Sequence, residues 1–293
     1  MSHFGIWNRS FVLATLGIGL AAGPLFAQSP QLNATFIPPN GSSSQTGTAG
    51  LEIANGTFQV DGPWVGTGSN ELLPQLAVLT TDDPTTLGGA ATGYLTLSIT
   101  AGTPLQGSEI ISNALPGYGY GYYEVQMVPD PTHVANGGVC SFFLKGAGGT
   151  LNSRTYGALE YDFEFLLNES WASGSGNGGV HLTTHPSGVS TDYSLGFNPS
   201  NAWHTYGFLW QAGNLGFYVD EVLVHTVTSS DTALPSDGTW IMANAWTGDS
   251  TWGGGPPASQ INCVYNYVKF WPNVTSVPNK GPNPPTALTA IVN

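Results

Sequence analysis

Basic residues are almost missing from this chain: 293 residues include 5 Lys and Arg against 18 Asp and Glu, a formal net charge of −13. An excess of negative charge on this scale excludes nucleic acid and anionic membrane surfaces as natural partners. Charge of either sign is scarce too, at 8% of residues. Solubility therefore rests on Gly, Ser, Thr and Asn, and a neutral polymer such as a polysaccharide fits a surface of that kind. Beyond the first residues no apolar run is long enough to span a bilayer. Helical periodicity is absent from the same region, which argues against an α/β fold. Cysteine is limited to Cys140 and Cys263. They lie in separate strand-like runs, and two buried thiols are expected slightly ahead of a bridge.

The N-terminus is the exception to this polarity. Arg9 precedes an apolar stretch from Phe11 to Phe26, interrupted by Gly17, Gly19, Gly23 and Pro24. It reads as an export signal spanning residues 1–27, cleaved after Ala27, so that the mature protein is secreted. Residues 28–50, with Pro38-Pro39-Asn40-Gly41 and a serine run, read as a flexible linker, and residues 273–293 as a Pro-rich tail. Between them, residues 51–272 are expected to form one domain.

Strand-like runs recur through that domain: Tyr94–Ile99, Tyr118–Val128, Val139–Lys145, Leu159–Leu166, Gly179–Thr184, His204–Trp210, Leu215–Val219, Val222–Val227, Trp240–Trp246 and Cys263–Trp271. Gly, Pro, Asn or Asp clusters separate most of them. The pattern predicts an all-β chain folded as an antiparallel β-sandwich.

One run carries chemistry. In Glu160-Tyr161-Asp162-Phe163-Glu164 acidic and aromatic residues alternate, so a strand would place three carboxylates on one face and Tyr161, Phe163 and Phe165 on the other. Like charges so close raise the pKa of at least one member, and a proton held near neutral pH is what acid-base attack on a glycosidic bond needs. Fully extended, the Cα atoms of Glu160 and Glu164 lie about 13 Å apart at roughly 3.3 Å per residue. Side chains leaning together could approach the carboxyl spacing of about 5 to 5.5 Å that retention requires.

The stretch Glu160 to Leu166 resembles the signature of glycoside hydrolase family 16, whose β-jelly roll carries its acids as Glu-x-Asp-x-Glu on an inner strand. Gly107 to Ser112 followed by Tyr118 to Val125 resembles the family's segment upstream of catalysis, and downstream His204 to Trp210, Phe217 to Asp220 and Ile241 to Trp246 resemble bacterial lichenases. The resemblance implies a jelly-roll sandwich with Glu160 as nucleophile, Glu164 as acid then base, and Asp162 tuning the nucleophile. It also implies sugar contacts from Glu109, Asn244 and Trp246. Trp252 reads as a cleft-rim aromatic, and His185 as a substrate contact or a residue behind the catalytic group. Ile111 stands where lichenases often have an arginine. A single residue between Asp162 and Glu164 resembles lichenases and xyloglucan-active members more than laminarinases. The expected activity is thus hydrolysis of 1,3-1,4-β-glucan by a monomer. Alternatives are a β-1,3-glucanase, a xyloglucan- or galactan-active member, a transglycosylase and a non-catalytic carbohydrate-binding protein. No cofactor is expected for the chemistry. The family's structural calcium would fall at Asn266, where an amide replaces an aspartate and binding should be weak.

Overall fold

A computed structural model describes residues 29–278, apart from 66–69, 89–91, 114–116, 147–158, 187 and 230–237. The expected export signal and the tail from residue 279 onward lie outside the described residues. The strands, in chain order, are β1 (Leu32–Thr35), β2 (Ser44–Thr46), β3 (Glu52–Ile53), β4 (Phe58–Val60), β5 (Trp64–Val65), β6 (Glu71–Leu72), β7 (Ala77–Thr80), β8 (Tyr94–Ile99), β9 (Gln106–Ser112) and β10 (Gly121–Pro129). They continue with β11 (Val139–Gly146), β12 (Glu160–Leu166), β13 (Gly179–His185), β14 (Val189–Ser194), β15 (His204–Gln211), β16 (Asn214–Val219), β17 (Val222–Thr228), β18 (Thr239–Trp246) and β19 (Ile261–Pro272).

Two sheets share these strands. One runs β17-β16-β15-β10-β19-β8-β7-β2, with β1 added on β19, and the other runs β14-β13-β12-β11-β18-β9-β4-β3, with β5 and β6 at its margin. Pairing is antiparallel throughout except where β6 meets β9. Alternation dictates the packing. The inward residues of both sheets, among them Tyr123, Val125, Phe142, Phe163, Phe208, Phe217 and Ile241, form one buried core, as expected for a sandwich.

Three expectations need correction. Residues 28–50 are not a linker: Leu32–Thr35 pairs with Tyr267–Phe270 and Ser44–Thr46 with Val78–Thr80. The open edge of β19 supplies the hydrogen bonds that the arm's own composition did not advertise. The ordered unit also runs past residue 272, since Val274 and Val277 pack on Tyr122, Leu209 and Trp271. Finally, Cys140 and Cys263 are joined in a disulfide, Cα to Cα 5.7 Å. Each points inward from a different sheet, so the bridge crosses the core.

Candidate active site

The strand β12 lies between β11 and β13 with an unbroken register. Glu160 sits across from Lys145 and His185, Asp162 across from Phe143 and Thr183, and Glu164 across from Ser141 and His181. The back of the strand is locked by aromatic contacts. Tyr161 meets Trp210 edge-on at 5.6 Å, Phe163 meets Phe208 at 4.9 Å, and Phe165 meets Tyr206 edge-on at 4.9 Å. With that face fixed in the core, alternation sends all three carboxylates into a cleft of about 320 Å³. Its other walls come from β18 (Met242, Asn244, Trp246), β9 (Glu109) and the segment bearing Trp64, Asn70 and Leu72. Below the floor, the Tyr265 hydroxyl of the opposite sheet donates to the Ser141 carbonyl at 2.9 Å and lies 3.2 Å from that of Asn244. The two floor strands are thereby pinned from behind.

The acids sit in different environments. Asp162 is buried, and burial, the charges of Glu160 and Glu164 and a hydrogen bond with Glu160 drive its pKa well above the ordinary carboxyl range, only partly offset by Lys145. Burial likewise pushes Glu164 up to about 7, helped by Glu160 and opposed by the Trp252 hydrogen bond and His181. The Trp252 indole donates to Glu164 Oε2 at 3.1 Å. Glu160 instead forms an ion pair with Lys145, both side chains being about a quarter exposed or less, at 26% and 21%.

A second layer braces the acid. The imidazole of His181 packs edge-on against Trp252 at 4.9 Å and lies between two carboxylates, with Nε2 2.8 Å from Glu169 and Nδ1 2.5 Å from Asp192. Burial opposes protonation of His181, but these two partners outweigh it and its pKa is raised. The loop carrying Trp252 is itself a closed turn, since Asp249 accepts backbone hydrogen bonds from Thr251 and Trp252 at 2.7 and 2.9 Å.

The residues expected from sequence fall as follows. Glu109 is 2% exposed at the cleft wall, where Asn244 Nδ2 donates to its Oε2 at 3.2 Å. Asn244 in turn accepts from the Ser141 hydroxyl. Trp246 lines the cleft. Trp252 reaches Glu164 directly. His185 is 47% exposed, with Nε2 3.8 Å from Asp162 Oδ2, and stands at the edge of the floor. Asn266 lies in the opposite sheet at a bulge between β10 and β19, and its amide donates to Gln126 Oε1 at 2.6 Å. Among the described residues no group of three or more His, Cys, Asp or Glu could hold a metal. A neutral amide already engaged with Gln126 does not offer the charge that a hard divalent cation favours, so the side chains at Asn266 fit calcium poorly.

Lys145, Trp64, Asn70 and Phe143 were not expected as site residues. Lys145 carried a faint signal, as one of very few cations and the end residue of an expected strand. Its position opposite Glu160 depends on which strand lies alongside β12. Trp64 and Asn70 come from short segments rich in Gly and Pro that show no alternation.

Residues 75–267 match the family described as glycosyl hydrolases family 16. The chain is 36% identical over 162 residues to the beta-glucanase of Paenibacillus polymyxa, an alignment that takes in 53% of this chain and 61% of that protein. It thus spans less than two thirds of that relative's length. Among solved structures, Bacillus licheniformis beta-glucanase superposes with a TM-score of 0.56 at 25% identity, covering 79% of this chain and 99% of that one. The laminarinase of Flavobacterium sp. UMI-01 superposes with a TM-score of 0.56 at 16% identity, covering 78% and 98%, a likeness of fold alone. The family match extends over more than half of the sequence and contains the whole of β12: this chain belongs to glycosyl hydrolases family 16.

Proposed function

We propose that the chain is a secreted, retaining endo-β-glucanase that hydrolyses 1,3-1,4-β-glucan. The observation that carries this reading is the divergence of two carboxyl groups on one strand face. Glu164 is held near 7 by burial, whereas Glu160 is ion-paired with Lys145. Environments that differ in this way divide the work between an acid and a nucleophile.

In the first step a Glu160 carboxylate oxygen attacks the anomeric carbon. The glycosidic bond breaks, its electron pair leaves with the departing oxygen, and that oxygen takes the Glu164 proton. In the second step water attacks the same carbon and gives its proton to Glu164, now a carboxylate. The ester bond breaks and its electron pair returns to Glu160. Two displacements on opposite faces restore the original configuration. Asp162, whose burial beside two carboxylates favours its protonated form and which is hydrogen-bonded to Glu160, orients the nucleophile. All of these steps use side chains alone.

Support for the substrate comes from the relatives called beta-glucanase and from the strand itself. The register of β12 is regular from Glu160 to Leu166. Two residues between Asp162 and Glu164 would require a bulge to keep both acids on one face. Trp246 and Trp64 offer stacking surfaces, and Glu109 and Asn244 offer acceptors and donors for hydroxyl groups. The second reading is β-1,3-glucan, because His185 resembles a histidine that laminarinase-type members place near the acid-base residue; here it stands 3.8 Å from Asp162 on the same sheet face. Secretion is supported by the N-terminal segment and by a disulfide, a bond that persists in oxidising compartments.

The test is reducing-sugar release from mixed-linkage glucan, β-1,3-glucan, xyloglucan and agarose, with Glu160→Ala as control and the anomer of the first product followed by NMR. Selective cleavage of mixed-linkage glucan with retention, lost in the variant, is the expected result. Cleavage of another polymer moves the substrate and keeps the mechanism, while inversion or activity that survives Glu160→Ala overturns the mechanism.

A further inference from the structure

Lys145 is the one cation among the described residues that line the cleft. It stands directly across from Glu160 on β11, its ammonium contacts Glu160 Oε2, and only 21% of its side chain is exposed. On its other side β11 pairs with β18, where Trp240 is opposite and fully buried. The carboxyls that face it are Glu160 and, one pleat further, Asp162, whose ionisation Lys145 favours.

The geometry points to Lys145 as a positioning residue for the nucleophile, one that hastens release of the glycosyl-enzyme by destabilising it relative to free Glu160. This inference rests on the retaining mechanism proposed above. Ester formation removes the charge of Glu160. The ammonium is then left about four-fifths buried beside an uncharged ester, and the next carboxyl along the face, Asp162, is itself buried in a setting that disfavours its charged form. Removing one member of a sequestered ion pair is costly for the other. Cleavage of the ester returns an electron pair to Glu160 and restores the pair. Lys145 therefore resists the first displacement and drives the second, which keeps covalent sugar from accumulating. A merely structural lysine would show no such asymmetry between the two half-reactions.

The experiment compares the full chain with Lys145→Met, Lys145→Gln and Lys145→Arg on a chromogenic aryl β-oligoglucoside, by steady-state and stopped-flow kinetics, with Glu160→Ala beside them. For Lys145→Met and Lys145→Gln the expected result is a kcat lower by on the order of tenfold, an apparent KM lower by a similar factor, and a kcat/KM that does not fall. A burst of about one equivalent of aglycone should precede the slow phase. Lys145→Arg should restore a kcat near that of the parent. Equal losses in kcat and kcat/KM without a burst, or unchanged kinetics in both neutral variants, would overturn the role of Lys145 while leaving the retaining mechanism intact. A parent that turns over with no dependence on Glu160 would overturn the mechanism and this inference together.

Discussion

Glu164 holds a proton near neutrality because it is buried beside Glu160, and this has consequences for both activity and stability. In its proposed role as the acid it must be protonated to assist departure, so kcat/KM should fall as pH rises through about 7. The Trp252 hydrogen bond favours the charged form and lowers the pKa. Trp252→Phe should therefore move the alkaline limb of kcat/KM to higher pH, and an unmoved or lowered limb would dismiss the indole as a tuning group. Stability follows the opposite logic from a salt-bridged acid. A carboxyl raised from 4.5 to about 7 stabilises the fold fully below its unfolded value, and that contribution is lost as pH rises through the folded value. Glu164→Gln, which cannot ionise, should melt above the parent at about pH 8 and near it at about pH 4. Thermal unfolding at the two pH values checks this. At this scale the placement of Glu160, Asp162 and Glu164 on one face was legible, because side-chain direction follows strand period. It was not legible for Lys145, whose role depends on a neighbour 15 residues away that only the register selects.

The same limit operates at the scale of elements. The central strands β8, β11, β12, β15 and β18 are long, apolar and bounded by turn residues, and their expected bounds fall within a residue of those observed. Strands of two to four residues, such as β3, β5 and β6, carry too few alternations to be recognised. The arm is the clearest case. Leu32-Asn33-Ala34-Thr35 has little intrinsic strand character, yet Leu32, Ala34 and Phe36 are buried, and Phe36 packs edge-on against Phe58 at 6.3 Å. What makes β1 a strand is the vacant edge of β19 beyond the point where β8 ends. That strand pairs with β8 through Tyr265 and with β1 from Tyr267 onward, the bulge at Asn266 marking the exchange. Burying a large apolar side chain contributes roughly 1.5–3 kcal/mol, so deletion of residues 29–36 should cost on the order of 5 kcal/mol. Such a loss is comparable with the whole stability of many domains. Denaturant unfolding of the truncated chain would measure it. A truncated chain as stable as the parent would return the arm to the status of a linker.

Across the whole molecule, covalent structure does what charge cannot. The described region holds two lysines, Lys145 in the cleft and Lys269 over the Tyr267 ring at 3.9 Å, so ion pairs between basic and acidic side chains contribute little to joining its sheets. The core and one disulfide hold them instead. Cys140 and Cys263 are separated by 123 residues, a loop whose closure removes roughly 4–5 kcal/mol of chain entropy from the unfolded state. The pairing was not readable from sequence because it depends on how two sheets stack. Spacing carries no trace of that. Replacing both cysteines by alanine should lower stability by about 2–5 kcal/mol, seen as a fall in melting temperature of about 10 °C. Neither sulfur lines the cleft, so turnover at room temperature should stay near that of the parent. Cys140 is, however, followed directly by Ser141, whose hydroxyl holds Asn244 and through it Glu109. If the double variant is still folded but has lost most of its turnover, the bridge also sets the cleft wall, and its role reaches beyond stability.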